Sequence, residues 1–366
     1  SPPPAKGIRK GKSREKINNS HRTTKSSPPP PSPCRLYENT SEQNMKTDAR
    51  TAKRLFSYSV KGEKMKFTKI ETQGITYLVF SLGTLPKEPE RLARAAADRA
   101  GGIGADGVLL LTPTLKADVR LTAFDSKGGR TLSHEDLYAL AAYLSYVAGL
   151  PIYEYETETD EGIHPVKILQ GEPPKFSVKY GKCKRYSSNI PITIHEVDAT
   201  VDLVATENGT YAVLFSSDAD AVDLPALAGA CAMSPDARAD AVVTVSPTAD
   251  GEGPPPDALL PEHLTSRDLP CTPSAPHPYR MRVKPISKDA VSPTAATGAA
   301  LTALIARGRE RYGGEAVFRH DAGIVACRVD HAGRLEATSD ARLLLRGEYE
   351  PITDHRASRK TRRPRG

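Results

Sequence analysis

Asp98-Arg99-Ala100-Gly101-Gly102-Ile103-Gly104-Ala105-Asp106-Gly107 is the stretch on which the fold turns. Gly102, Gly104 and Gly107 spell the string G-x-G-x-x-G of dinucleotide-binding proteins. That string binds a pyrophosphate only when a strand leads into the glycines and a helix leaves them, so that the helix N-terminus faces the ligand. Here the order is reversed. Pro89–Ala100 has a helical pattern and precedes the glycines, while the apolar run Val108–Leu111 follows as a strand. The glycines therefore read as a tight turn needing positive φ. Asp98 and Arg99 read as a helix end or a structural ion pair, and no nucleotide cofactor is expected.

Working outward, Lys66–Lys69, Tyr77–Phe80 and Val119–Phe124 read as strands. Leu137–Gly149 is apolar on nearly every side, which predicts a buried helix. Strands follow at Tyr153–Glu158, Val166–Leu169 and Lys175–Lys179. The plan then recurs, with strands Val197–Leu203 and Tyr211–Phe215, helix Leu224–Ala232, strands Ala241–Val245 and Arg280–Lys284, and a second all-round apolar helix, Thr294–Ala306. Two sets of short strands around one buried helix each predict an α+β fold of two pseudo-symmetric lobes, mostly antiparallel. The N-terminal lobe is expected over 65–184, with a closing strand at 343–350 returning to it, and the C-terminal lobe over 185–342. The boundary falls at Lys184–Ile190. A Pro-rich insertion is expected at 251–279.

Charge divides along the same lines. The 366 residues sum to +7, but residues 1–64 carry +10, residues 351–366 carry +5, and the body between them is −8. The basicity belongs to two tails expected to be disordered, the first Pro-rich at Pro28–Pro31 and Pro33, with a natural start expected at Met65. An acidic body argues against a nucleic-acid-binding fold, and no aromatic residues interleave the arginines of 356–365 to stack on bases. Five cysteines, Cys34, Cys183, Cys231, Cys271 and Cys327, are scattered without a CxxC pair, so neither a disulfide framework nor a metal site is expected and a cytoplasmic setting fits best. No run approaches the roughly eighteen apolar residues of a membrane span.

The glycine-rich stretch also resembles the DR…GIGADG signature of the diaminopimelate epimerases. The likeness extends to Met65-Lys66-Phe67-Thr68-Lys69-Ile70, to Ala117-Asp118-Val119-Arg120-Leu121 with Phe124, and to Thr297-Gly298-Ala299. It ends with Thr338-Ser339-Asp340-Ala341-Arg342-Leu343 and Gly347-Glu348, so it covers nearly all of 65–350. The resemblance implies a two-lobed fold and a cofactor-free amino-acid epimerase of the lysine and peptidoglycan precursor pathway. In such enzymes a thiolate removes a weakly acidic α-proton while a thiol on the opposite face returns one. Each cysteine sits at the N-terminus of a buried helix, where free N–H groups and the dipole lower its pKa and hold the substrate carboxylate.

In this chain those positions have changed. Counting back from Tyr143-Leu144 places Ser133 at the first cysteine; counting forward from Phe124 places His134 there. Either way Ser133-His134-Glu135-Asp136 replaces Cys-Gly-Asn-Gly. Alignment on Thr297-Gly298 puts Ala295 at the second cysteine and Ala296 at its glycine. The family's Glu-Arg pair aligns with Ile286 and Ser287, and its asparagines with Ile75, Asp125, Gly209 and Ala239. Ser133-x-x-Asp136 forms a capping-box pattern, and Ser292-Pro293 an N-cap with proline in the first turn. Both helix ends thus read as self-satisfied, with Glu135 and Asp136 repelling an anionic substrate.

The expectation is a family member that has lost epimerase chemistry and persists as a binding or regulatory paralogue. The alternative is a cofactor-free isomerase acting on another amino-acid-like substrate. In that case His134, Glu135 or Asp125 serve as acid/base groups, with Ser133 or His134 at the first cysteine position and Asp125, Glu135, Thr297 and Gly298 lining the site. Expected partners are a small amino-acid-like ligand between the lobes and a second copy or an intact epimerase, with no specific nucleic acid and no membrane. His134 in its bland reading is a solvated first-turn side chain, and Asp125 a turn residue.

Overall fold

The computed structural model describes residues 64–148, 153–169, 171–248, 277–286 and 291–350. The two tails and most of the expected insertion lie outside the described residues; His277–Tyr279 belong to a strand. Among the described residues the chain is mostly strand, with four α-helices.

Elements run β1 (Met65–Thr72), β2 (Ile75–Ser81), α1 (Pro89–Ala97), β3 (Gly107–Thr112), β4 (Val119–Asp125), β5 (Arg130–Thr131), α2 (His134–Tyr143), β6 (Glu154–Thr159) and β7 (Gly162–Leu169). A long strand, β8 (Lys175–Ile194), comes next and contains the stretch 184–190. The chain continues with β9 (Val197–Thr206), β10 (Thr210–Phe215), α3 (Leu224–Met233), β11 (Ala241–Pro247), β12 (His277–Pro285) and α4 (Pro293–Ala306). It finishes with β13 (Ala316–His320), β14 (Gly323–Val329), β15 (Arg334–Asp340) and β16 (Arg342–Tyr349).

One succession of pairings occurs twice. β1–β2 is antiparallel, β2–β3 parallel across α1, β3–β4 antiparallel, β4–β6 parallel across α2, and β6–β7 antiparallel. β9–β10, β10–β11 across α3, β11–β12, β12–β13 across α4, and β13–β14 repeat that series in order. Strands β8 to β15 close into an eight-stranded barrel because β15 pairs with both β14 and β8. The chain then returns in β16, antiparallel to β1.

The apolar pattern explains why these strands need helices on both sides. All six residues of β3 are buried. Leu109 and Leu111 pack in the cluster around α2, whereas Val108 and Leu110 pack with Leu92, Ala93, Ala96 and Ala97 of α1. In β11, Ala241, Val243 and Val245 face α4 while Val242 faces Leu224, Leu227 and Cys231 of α3. A strand buried on both faces reads as a continuous apolar run. The helices at the two centres are buried all round: every residue of α2 is buried, as are eleven of the fourteen in α4.

The glycine-rich stretch links α1 to β3, in the order the sequence predicts. α1 ends three residues short of Ala100, since the Asp98 carboxylate accepts from Ala100 N (3.1 Å) and Gly101 N (3.2 Å). Arg99 pairs not with Asp98 but with Asp106 (2.7 Å). Gly104 has φ +82°, and a Cβ on Gly102 would lie 2.2 Å from the Ala95 carbonyl. The second difference is α2, which begins at His134 and passes into a π-helical segment at Leu144–Ala148.

Candidate functional site

The starts of α2 and α4 meet inside the protein. Ser133 is the N-cap of α2: its Oγ accepts from Asp136 N (3.2 Å), and Asp136 Oδ2 accepts from Ser133 N (2.7 Å). This is the reciprocal capping box that the sequence suggests. Ser292 caps α4, its Oγ accepting from Ala295 N (3.0 Å), while Ala296 N bonds the Ser292 carbonyl (3.1 Å). Pro293 has no N–H to satisfy. The one remaining first-turn donor, Thr294 N, bonds Glu135 Oε1 at 2.9 Å, 159 residues away. All the first-turn donors of α4 are therefore taken by the chain itself, and one of the acceptors is a carboxylate.

His134, Glu135 and Asp136 are all buried, at 1%, 0% and 1% exposure. The expectation of a solvated His134 is thus corrected: the imidazole packs edge-on to Tyr180, with ring centroids 5.2 Å apart, and near Tyr138. Burial pushes His134 down to about 4, against the opposing pull of Glu135. Burial and the adjacent Glu135 charge push Asp136 up to about 7. Burial, reinforced by Glu135, also holds the hydroxyls of Tyr77, Tyr138 and Tyr211 above their ordinary range. Both His134 ring nitrogens, Glu135 Oε2, the Tyr138 hydroxyl and Thr294 Oγ1 are buried without a hydrogen-bond partner among the described residues.

The structure brings Ser133, His134 and Glu135 together with the start of α4. Thr297 and Gly298 lie one turn into α4. The Thr297 hydroxyl donates to the Pro293 carbonyl (2.8 Å), and a Cβ on Gly298 would press into Leu335 at 2.6 Å. Ala295, at the aligned second-cysteine position, is 2% exposed. Asp125 stands apart at the end of β4, exposed, its Oδ1 accepting from Lys127 N and Gly129 N (2.9 and 2.7 Å). It is a turn residue in the geometry, as its local sequence suggests. The thiols of Cys183, Cys231 and Cys327 are free, and burial pushes each of them up.

Several residues around this junction escaped sequence reasoning. Asn208, next to the aligned Gly209, donates from Nδ2 to the Leu132 carbonyl (3.1 Å) and so bridges to the residue before the α2 cap. Its place before a turn glycine was the available signal. Tyr180 OH lies within hydrogen-bond distance of the same carbonyl (3.1 Å) and of Glu161 Oε2 (3.0 Å). Gln73, at φ +51°, reaches from the β1–β2 turn to Ser339 Oγ. These contacts depend on distant strands and carry no local pattern.

Solved structures share this architecture. The solved structures that match include a phenazine biosynthesis protein of the PhzF family from Bacillus anthracis, with TM-score 0.55 and 12% identity over 78% of this chain and 99% of that one. A hydroxyproline epimerase from Agrobacterium vitis matches with TM-score 0.52 and 13% identity over 79% and 93%. The chain has that fold. Among curated sequences, the diaminopimelate epimerase of Desulforudis audaxviator is 31% identical over 132 residues, covering 35% of this chain and 48% of the relative. That of Desulfovibrio desulfuricans is 27% identical over 183 residues, 63% of its length. That of Geobacillus thermodenitrificans is 24% identical over 302 residues, 77% of this chain and 96% of the relative. The chain thus spans about half to two thirds of the first two relatives and nearly all of the third. No protein-family model matches it. Its sequence is thus similar to those of diaminopimelate epimerases, over part of the first two and nearly all of the third.

Proposed function

We propose that this chain is an epimerase-scaffold protein that no longer exchanges a substrate α-proton and serves as a binding or regulatory relative of the active enzymes. The observation that carries this reading is the Glu135 carboxylate on Thr294 N. A helix N-terminus attracts an anion through its free N–H groups and dipole. Here an internal carboxylate holds the place, and the residues on both sides of it are buried. The repeated series of pairings supports two pseudo-symmetric lobes, over 65–184 and 185–342, that arose by duplication. A cytoplasmic setting, a role beside lysine and peptidoglycan precursor synthesis, and a second copy or an intact epimerase as partner belong to the same proposal.

The test is α-hydrogen exchange. The full chain is incubated in D₂O with the stereoisomers of diaminopimelate and with a panel of amino acids, and deuterium at the α-carbon is read by mass spectrometry. The expected result is none above the protein-free control. Uptake on any substrate overturns the reading.

One observation favours a second reading, an isomerase of different specificity. His134 is held neutral with both ring nitrogens unpartnered, beside the unpartnered Glu135 Oε2. A neutral imidazole next to a carboxylate is a competent acid/base couple. Under that reading exchange is present, and His134→Gln and Glu135→Gln each abolish it.

A further inference from the structure

The two basic tails join the body side by side. Met65, the first residue of β1, pairs with Tyr349, the last of β16, in an antiparallel ladder. The segment before Met65 and the segment after Tyr349 therefore meet the sheet at the same end, on neighbouring strands about 5 Å apart. Both exit points are fixed by aromatic packing. Phe80 stands between Phe67 of β1 and Tyr349 of β16, with ring centroids 6.1 Å away on each side, and all three residues are buried. Lys64 and Glu350, just beyond this seam, are exposed. The tails themselves lie outside the described residues; their junctions with the body lie within them.

The sequences that meet there are complementary in kind. Residues 47–64 carry +3 and residues 351–366 carry +5, joined to one end of a body that sums to −8. A polyanion is attracted to that end and repelled by the rest of the body. The C-terminal segment holds Arg356, Arg359, Arg362, Arg363 and Arg365, and the guanidinium fork matches phosphate oxygens in pairs. It has no aromatic residue. The N-terminal segment supplies them: Phe56 and Tyr58 lie between Lys53-Arg54 and Lys61. Proteins that hold single strands combine cations along the backbone with aromatic rings on which bases stack. Each tail carries part of that combination, and the β1–β16 register brings the parts to one place. A lipid surface fits less well, because Ile352 is the one large apolar side chain in 351–366 and a stable membrane anchor needs more apolar area than that.

We propose that the two tails act as one bipartite arm that binds single-stranded nucleic acid without sequence preference, the arginines of 351–366 on phosphates and Phe56 and Tyr58 stacked on bases. Linking two weak binders at one point makes the second contact intramolecular, so the pair holds a strand more tightly than either tail does. The acidic body takes no part in the contact. The arm works whether or not α-proton exchange survives at the helix ends, because it shares no residue with them.

The experiment is fluorescence anisotropy with the full chain, titrated into labelled oligo-deoxythymidine and oligo-uridine over a series of salt concentrations. Both are expected to bind at about micromolar concentration in low salt, with log K falling against log salt by about 0.7 per phosphate contacted. Replacing the five arginines and Lys360 of 356–365 by serine should flatten that slope by about 4 and weaken binding about tenfold or more. Phe56→Ala with Tyr58→Ala should weaken binding about tenfold and leave the slope unchanged, since rings release no counterions. All the substituted residues lie outside 65–350, and circular dichroism checks that the body is unaltered. RNA and DNA are expected to bind within about threefold of one another, because neither charge nor stacking reads the 2′-hydroxyl. A larger preference would place the contact in a site that reads the sugar, against the proposal. It is also overturned if neither oligonucleotide binds, if either set of changes costs less than about threefold, or if phosphatidylserine vesicles bind more tightly than the oligonucleotides.

Discussion

Glu135 and Thr294 hold the starts of the two central helices together: a carboxylate from α2 accepts the second-residue amide of α4 at 2.9 Å, with both residues fully buried. A substrate carboxylate that approached this helix end would have to displace an internal one that needs no translational entropy to stay.

The first prediction concerns that bond. Glu135→Ala leaves a buried N–H without an acceptor and is expected to cost about 2 kcal/mol in urea unfolding. Glu135→Gln keeps an oxygen in place and costs less. Acetate is expected to restore part of the alanine variant's stability and to leave the unaltered chain untouched, since only the variant exposes an anion-accepting helix end. An alanine variant as stable as the parent, with or without acetate, would contradict the role given to Glu135.

A second prediction follows from the neighbours of Glu135. His134 falls from its ordinary 6.5 to about 4, so the unfolded chain binds a proton that the folded chain refuses, and stability is lost as pH drops from about 6.5 toward 4. Asp136 rises from 3.8 to about 7, so the folded chain keeps a proton that the unfolded chain releases, and stability is lost as pH climbs from about 4 through 7. The two slopes oppose one another between about pH 4 and 6.5. Melting temperature against pH should fall toward acid in Asp136→Asn, where only the buried histidine still titrates. In His134→Gln it should fall toward neutrality. Slopes of the same sign in the two variants would refute the assignment.

The third prediction addresses the far end of α4. Asp202, fully buried, accepts from Arg307 Nε (2.6 Å) and Nη2 (2.8 Å), from Tyr186 OH (2.9 Å) and from Asn189 N (3.0 Å). The Arg307 guanidinium also lies over the Phe215 ring at 4.8 Å. Removing one partner of such a buried network strands the others, so Asp202→Ala is expected to lose about 3–5 kcal/mol in chemical denaturation. A loss under about 1 kcal/mol would mean that water replaces the carboxylate without penalty.

A fourth prediction separates two kinds of glycine. At Gly102 a new Cβ would meet three backbone oxygens within 3 Å, and Gly102→Ala should destabilise the chain severely or prevent its soluble expression. Gly229 sits inside α3 with nothing within 4 Å of its missing Cβ. Gly229→Ala should raise stability by about 0.5–1 kcal/mol through helix propensity. Thermal melts of the pair decide it, and equal effects would remove the steric account of the glycine-rich turn.

Much of the fold was legible from local pattern, and most of the site was not. The all-round apolarity of the central helices, the apolar strands and the helix-to-strand order at Gly102–Gly107 are short-range signals, and the structure follows them. The capping box at Ser133 and the N-cap at Ser292 were equally readable, because a cap involves residues three apart. The extension of β8 to Ile194 was not readable. Its second half is polar and gains its order from pairing with β9. The burial of His134 was misjudged for a related reason, since it depends on Tyr180 and Gly181 of a distant strand. Glu135 was read as a charge directed at a ligand. Its actual acceptor role toward Thr294 joins residues that no sequence spacing connects.

β8 meets β7 and β15 along its first stretch and β9 along its second, and β16 supplies the outer partner of β1. A fragment ending before β9 would lack β15 and β16, leaving β1 and one side of β8 as raw edges of the kind that drive aggregation. A fragment starting at β9 would lose the strand that shuts its barrel. Splitting this gene into separately expressed halves should therefore give insoluble products, and co-expression of the halves is the arrangement in which each recovers its missing neighbours.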